Sequence, residues 1–87
     1  MESKLLIVDD EPDIVSGLEL ALKELPLEIT AITNPMEARD LLEKEKFDMV
    51  ICDIAMPVIN GFELLQFAME KDPDVVFIMI TGYGSVE

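Results

Sequence analysis

The chain has 87 residues, of which 51% are apolar and 29% charged, the size and balance of one globular domain rather than a disordered tail. Nineteen acidic residues against six basic give a net charge of −13, a surface that repels phosphate backbones and argues against direct nucleic-acid binding. The longest apolar run, Val75 to Ile80, is too short to span a bilayer, and the absence of His leaves the single Cys52 without the usual activating base.

Met1-Glu2-Ser3-Lys4 leads directly into strand-like residues without an apolar signal core, so a cytoplasmic protein without membrane contact is expected. Leu5-Leu6-Ile7-Val8 reads as a buried strand, broken by Asp9-Asp10-Glu11-Pro12. Pro12 suits a first helical turn, and Ile14, Leu18, Leu22 and Leu25 recur at helical spacing up to Pro26. Leu27 to Ile32 alternates like a half-exposed strand. Asn34-Pro35-Met36-Glu37 is a strong helix start, with Met36, Ala38, Leu41 and Leu42 as its expected apolar side.

A third strand runs from Phe47 to Cys52 and ends at Asp53. Asn60-Gly61-Phe62-Glu63 opens another helix, continued by Leu65 and Met69 to about Lys71. After the turn at Asp72-Pro73-Asp74, the run Val75 to Ile80 predicts a fourth strand, with Thr81-Gly82-Tyr83-Gly84 as a loop and Ser85-Val86-Glu87 as the opening of a further helix. Cys52, inside an apolar run, reads as a buried structural thiol.

Strands alternating with helices predict an α/β fold, a doubly wound parallel sheet of order 2-1-3-4 with right-handed crossovers. The second strand belongs at an edge. The fourth is wholly apolar and calls for neighbours on both sides. Residues 1–87 therefore read as one domain that is C-terminally incomplete, with a fifth strand and last helix missing. An unpaired fourth strand is a template for pairing between chains, so a homo-oligomer is expected.

The C-terminal ends of parallel strands share one rim, where ligands bind. Asp9, Asp10, Asp53 and Thr81 converge there. Alone, each has a plainer use: a helix N-cap for Asp9 or Asp10, a turn for Asp53 and Thr81. Together, three carboxylates repel one another and remain ionised most easily around a hard cation such as Mg²⁺. With that cation, Asp53 can accept a phosphoryl group while the Thr81 hydroxyl donates to one of its oxygens.

At these residues the chain resembles the receiver domain of bacterial two-component response regulators, which has a flavodoxin-like fold. The matching pieces are Leu5-Leu6-Ile7-Val8-Asp9-Asp10-Glu11, then Asp53-Ile54-Ala55-Met56-Pro57 with Gly61, then Ile80-Thr81-Gly82-Tyr83-Gly84. Residues 81–87 look most like receivers of sigma-54-dependent transcriptional activators. The resemblance implies a phosphoacceptor signalling domain rather than an enzyme, with Asp53 as acceptor and Mg²⁺ as cofactor. Asp10 would bind the ion directly, Asp9 largely through water, and Ala55 through its backbone carbonyl.

In the same reading Thr81 would sense the phosphoryl group and Met56-Pro57 would shape the loop. A sensor histidine kinase would be the donor and dock near Ile14 and Leu18, and the output domain would lie outside this chain. Receivers also carry a Lys and an aromatic switch residue on a fifth strand. Neither falls within this sequence, so weak Mg²⁺ binding and poor phosphorylation are expected of it. Ala55 and Tyr83 stand where other receivers often carry polar side chains that orient water, which implies a long-lived aspartyl phosphate.

Two rivals remain. A phosphohydrolase of the haloacid-dehalogenase type wants a second Asp two residues after the nucleophile, and Ala55 stands there. A docking module indifferent to phosphorylation would tolerate Asp53→Ala.

Overall fold

The computed structural model describes residues 2–56 and 58–80. Thr81, Tyr83, Pro57 and the helix expected to open at Ser85 lie outside the described residues. The elements are β1 (Ser3–Val8), α1 (Pro12–Leu22), β2 (Leu27–Ile32), α2 (Pro35–Lys44), β3 (Met49–Asp53), α3 (Gly61–Lys71) and β4 (Val76–Ile80). All strand pairs are parallel and the order is β2-β1-β3-β4, as expected from the alternation of strands and helices.

β1 is apolar throughout because both its faces are covered. Leu6 and Val8 join Val50 and Cys52 of β3 under Ala38 and Leu42 of α2 and Leu64 and Ala68 of α3, with Phe47 closing one end. Leu5 and Ile7 point to the opposite face, where Val15, Leu18 and Leu22 of α1 lie over them. Truncating a fully buried side chain such as Leu64 to Ala would cost about 2–5 kcal/mol.

Helix ends follow their local chemistry. The Asn34 side chain accepts from the Met36 amide at 3.0 Å and caps α2. Asn60 and Glu63 form a full capping box on α3, with bonds of 2.9 and 3.0 Å.

Two expectations need correction, and α3 buries a face the sequence left open. α1 stops at Leu22, before Pro26; Leu25 lies in the following turn and is 51% exposed. Its amide donates to the Leu22 carbonyl at 3.0 Å, closing the helix ahead of the proline. Met36 is 40% exposed, while α2 buries Ala38 and Leu42 as expected, and Pro35 with them. α3 turns Gly61, Leu64 and Ala68 inward and leaves Phe62 and Met69 exposed, because small residues let the helix lie close to the sheet.

Among the described residues β4 pairs only with β3 and so ends the sheet, as the order 2-1-3-4 requires. Phe77 packs into the α2–α3 side of the core. Val76 and Ile78, on the opposite face, are exposed.

Candidate functional site

Register alone brings the acidic residues together. Val8 lies opposite Cys52 across the β1–β3 pair, so Asp9 and Asp53 follow side by side at the same rim. The Asp9 amide donates to the Ile32 carbonyl at 3.2 Å, which holds that end of β1 against β2. Asp53 is the last residue of β3 and sits opposite Ile80 of β4.

Asp9, Asp10 and Asp53 each offer a carboxylate oxygen, and the three oxygens lie within 4.8 Å of one another. Asp9 is fully buried, Asp53 is nearly so, and Asp10 is exposed. None of the ion pairs among the described residues involves these aspartates: Lys4 pairs with Glu45, Lys46 with Asp72 and Lys71 with Glu43. The charge on the rim is therefore uncompensated by those pairs.

Asp9 does not serve as the cap of α1. That position is Glu11, whose side chain makes no capping bond. Instead the Glu11 amide donates to Asp9 Oδ1 at 2.9 Å. Asp9 Oδ2 is buried without any partner. An orphaned buried carboxylate oxygen is costly, and here it sits beside two further carboxylates. Burial raises the Asp9 carboxyl above its ordinary value; the Glu11 amide works the other way, and the charges of Asp53 and Asp10 add to the rise. A bound divalent cation would supply the missing partner and reverse that balance, so the donor set fits one.

The backbone around the acceptor position is tied on both sides. The Ile54 amide donates to the Ile80 carbonyl at 2.9 Å, and the Ile54 carbonyl accepts from the Gly61 amide at 2.9 Å. The Ala55 amide lies 3.4 Å from Asp53 Oδ1, a long bond. Ala55 is exposed and has no polar side-chain atom. Beneath the rim, Cys52 is fully buried; burial, with the nearby charges of Asp53 and Asp9, pushes its thiol up to about 12. It is a packing residue, as its apolar surroundings suggest.

Two contributors have roles that motif reading does not supply. The Glu11 amide fixes Asp9 through the backbone, so no side-chain pattern marks it. Gly61 touches the acceptor segment closely, which only the fold reveals. The described residues bring Asp9, Asp10, Asp53 and Ala55 to one rim; Thr81 lies outside them.

The sequence profile of the response regulator receiver domain matches residues 5–87. Over 84 residues the chain is 42% identical to the response regulator protein PilR of Pseudomonas aeruginosa, covering 97% of this chain and 19% of that one. It is 34% identical over 83 residues to the response regulator receiver protein CpdR of Brucella abortus, covering 95% of this chain and 69% of the relative. The chain thus spans about a fifth of the length of PilR and about two thirds of CpdR. Among solved structures, the chemotaxis response regulator CheY4 of Vibrio cholerae superposes with a TM-score of 0.86 at 28% identity, over 98% of this chain and 72% of that one. Receiver domains are phosphoacceptor signalling domains of two-component systems rather than enzymes. With its parallel 2-1-3-4 sheet and acidic rim, this chain belongs to the response regulator receiver domain family.

Proposed function

We propose that Asp53 is the phosphoacceptor of this receiver, that Asp9, Asp10, Asp53 and the Ala55 carbonyl hold one Mg²⁺, and that a sensor histidine kinase is the donor. The observation that carries the reading is the meeting of three carboxylates within 4.8 Å at the strand rim, with one buried oxygen of Asp9 left without a partner. When bound, Mg²⁺ neutralises charge on the carboxylates and on the incoming phosphoryl oxygens.

The chain's own part is position. A carboxylate oxygen of Asp53 forms a bond to phosphorus as the P–N bond of the donor phosphohistidine breaks. The bonding pair leaves with the ring nitrogen, and because the other ring nitrogen carries a proton the imidazole departs neutral. With acetyl phosphate as donor, the P–O bond breaks and acetate leaves. Asp53 terminates β3 and its following residue is bonded on both sides, so the nucleophile is held at the rim. The Thr81 hydroxyl is assigned as donor to a phosphoryl oxygen by its place in the sequence, directly after β4.

The output is regulatory. Relatives named as transcriptional regulators, such as the C4-dicarboxylate transport regulatory protein DctD of Pseudomonas aeruginosa at 32% identity, support a place in front of an output domain, of the sigma-54-dependent activator type. Among the described residues no helix is long and apolar enough to cross a membrane. A cytoplasmic location is the one in which a kinase could reach this rim.

Acetyl phosphate with Mg²⁺ tests the acceptor. One added phosphoryl group by intact mass, taken up slowly and absent from Asp53→Ala, is the expected result. Equal labelling of Asp53→Ala, or none of the parent, would overturn the assignment. Partner binding that is indifferent to Asp53→Ala would favour the docking module instead.

A further inference from the structure

We propose that Gly61, the first residue of α3, is a positioning residue for Asp53, because it lets the helix rest directly on the backbone of the acceptor. The inference rests on the phosphoacceptor reading above and extends it to the element that sets the nucleophile's place.

The contact is closer than any other side chain allows. A Cβ built on Gly61 would stand 2.5 Å from the Asp53 carbonyl oxygen, 3.0 Å from Ile54 Cα and 3.2 Å from Met79 Sδ. Two of these neighbours are backbone, so they cannot turn aside as a side chain does. To restore ordinary contact at 3.4 Å, the helix and the acceptor strand would have to separate by about 0.9 Å.

Neither side is free to yield elsewhere. α3 is anchored by buried Leu64 and Ala68, and its first turn is locked by the capping box of Asn60 and Glu63. β3 is held by ladders to both β1 and β4. The softest place is the junction itself, where the Gly61 amide reaches the Ile54 carbonyl. Ile54 lies between Asp53 and Ala55, so a shift there moves the acceptor carboxylate and the proposed carbonyl ligand together. A displacement of this size is enough to misplace a nucleophile.

The test compares Gly61→Ala, Asn60→Ala and Ala68→Gly with the parent. Folded fraction and urea midpoint are measured beside two readouts: the rate of labelling by acetyl phosphate with Mg²⁺, and affinity for Mn²⁺ alone by electron paramagnetic resonance. Folded Gly61→Ala should label roughly ten- to a hundredfold more slowly and bind Mn²⁺ severalfold more weakly. Asn60→Ala, which loosens the first turn without adding an atom, should slow labelling severalfold. Ala68→Gly weakens α3 away from the acceptor and should label at the parent rate once corrected for folded fraction.

The proposal is overturned if folded Gly61→Ala matches the parent in both readouts, or if Ala68→Gly slows as much. Should Gly61→Ala not fold, Asn60→Ala decides: labelling at the parent rate overturns the proposal, and a severalfold loss supports it. If the parent itself takes no label on Asp53, the acceptor reading fails. The Mn²⁺ affinities then decide positioning on their own, and unchanged affinity in the Gly61 variant, or in Asn60→Ala where that variant does not fold, overturns it.

Discussion

The Glu11 amide donates to Asp9 Oδ1 at 2.9 Å, and this bond leaves the second carboxylate oxygen of Asp9 buried and unpartnered beside Asp53 and Asp10. The backbone thus orients one ligand of the proposed cation site before any cation arrives. Without a cation, the same arrangement works against stability.

The sign is fixed by the raised Asp9 carboxyl, shifted by burial first and by the neighbouring carboxylates after it. Between the ordinary value of 3.8 and the raised folded value, the folded chain keeps a proton that the unfolded chain has lost. Stability from this group therefore falls as pH rises through that window and stays lower above it. Asp9→Asn keeps an acceptor for the Glu11 amide and removes the charge. In chelator at pH 7 its urea midpoint should exceed the parent's, and the advantage should fade below the ordinary carboxylate range. A midpoint below the parent's at pH 7 would contradict this account.

Mg²⁺ should stabilise the parent by mass action, by about 2.7 kcal/mol at a hundred times its dissociation constant. Asp9→Asn and Asp10→Asn should lose most of this gain, and chelator should reverse it in the parent. Because the chain carries a net charge of −13, NaCl at matched ionic strength is the necessary control. Equal stabilisation by NaCl would show screening of the acidic surface rather than a site.

Much of this was legible in the sequence because β1 and β3 carry their chemistry at their last residues. A parallel sheet puts those ends on one rim whatever the packing, so Asp9, Asp10 and Asp53 could be joined from spacing alone. The Asn34 and Asn60 helix starts were equally plain, since capping is local. On α2, Ala38 and Leu42 were read as inward and only Met36 was misplaced, but the inward face of α3 was not legible. Met36, Phe62 and Met69 are large and apolar yet exposed, while Gly61 and Ala68 face the sheet. Close approach of a helix selects small residues, and hydrophobicity counts cannot register that. The end of α1 at Leu22 was masked by Pro26, the more conspicuous stop signal.

Ala55 is exposed at the rim and places no polar side-chain atom beside Asp53. It can neither orient nor activate a water for attack on an aspartyl phosphate. Ala55→Asn should therefore shorten the half-life of phosphorylated Asp53, followed by loss of the added phosphoryl mass after donor removal. An unchanged half-life would mean that water is ordered from elsewhere.

Cys52 should be chemically silent in the folded chain. Its thiol is pushed up to about 12 and its side chain is fully buried, so almost no thiolate is present or reachable at pH 8. Labelling by a chromogenic disulfide should proceed at the rate of unfolding and saturate at once in urea. Fast labelling under native conditions would mean that the β3 end opens locally.

Val58 has φ 73°, the only positive value on a described residue other than glycine, and its side chain is 86% exposed. A β-branched residue in the left-handed region costs roughly 1–2 kcal/mol, and an exposed side chain recovers little of that by packing. Asn accepts this conformation more readily and keeps a side chain, which avoids the entropy cost of Gly. Val58→Asn should raise the unfolding free energy by about 1 kcal/mol, read as a higher urea midpoint at unchanged slope. The loop it occupies begins and ends at the 2.9 Å bond between Ile54 and Gly61, so relief of the strain should leave the acceptor where it is. Labelling by acetyl phosphate should then match the parent. A slower rate in the stabilised variant would show that the strained loop is coupled to Asp53 itself.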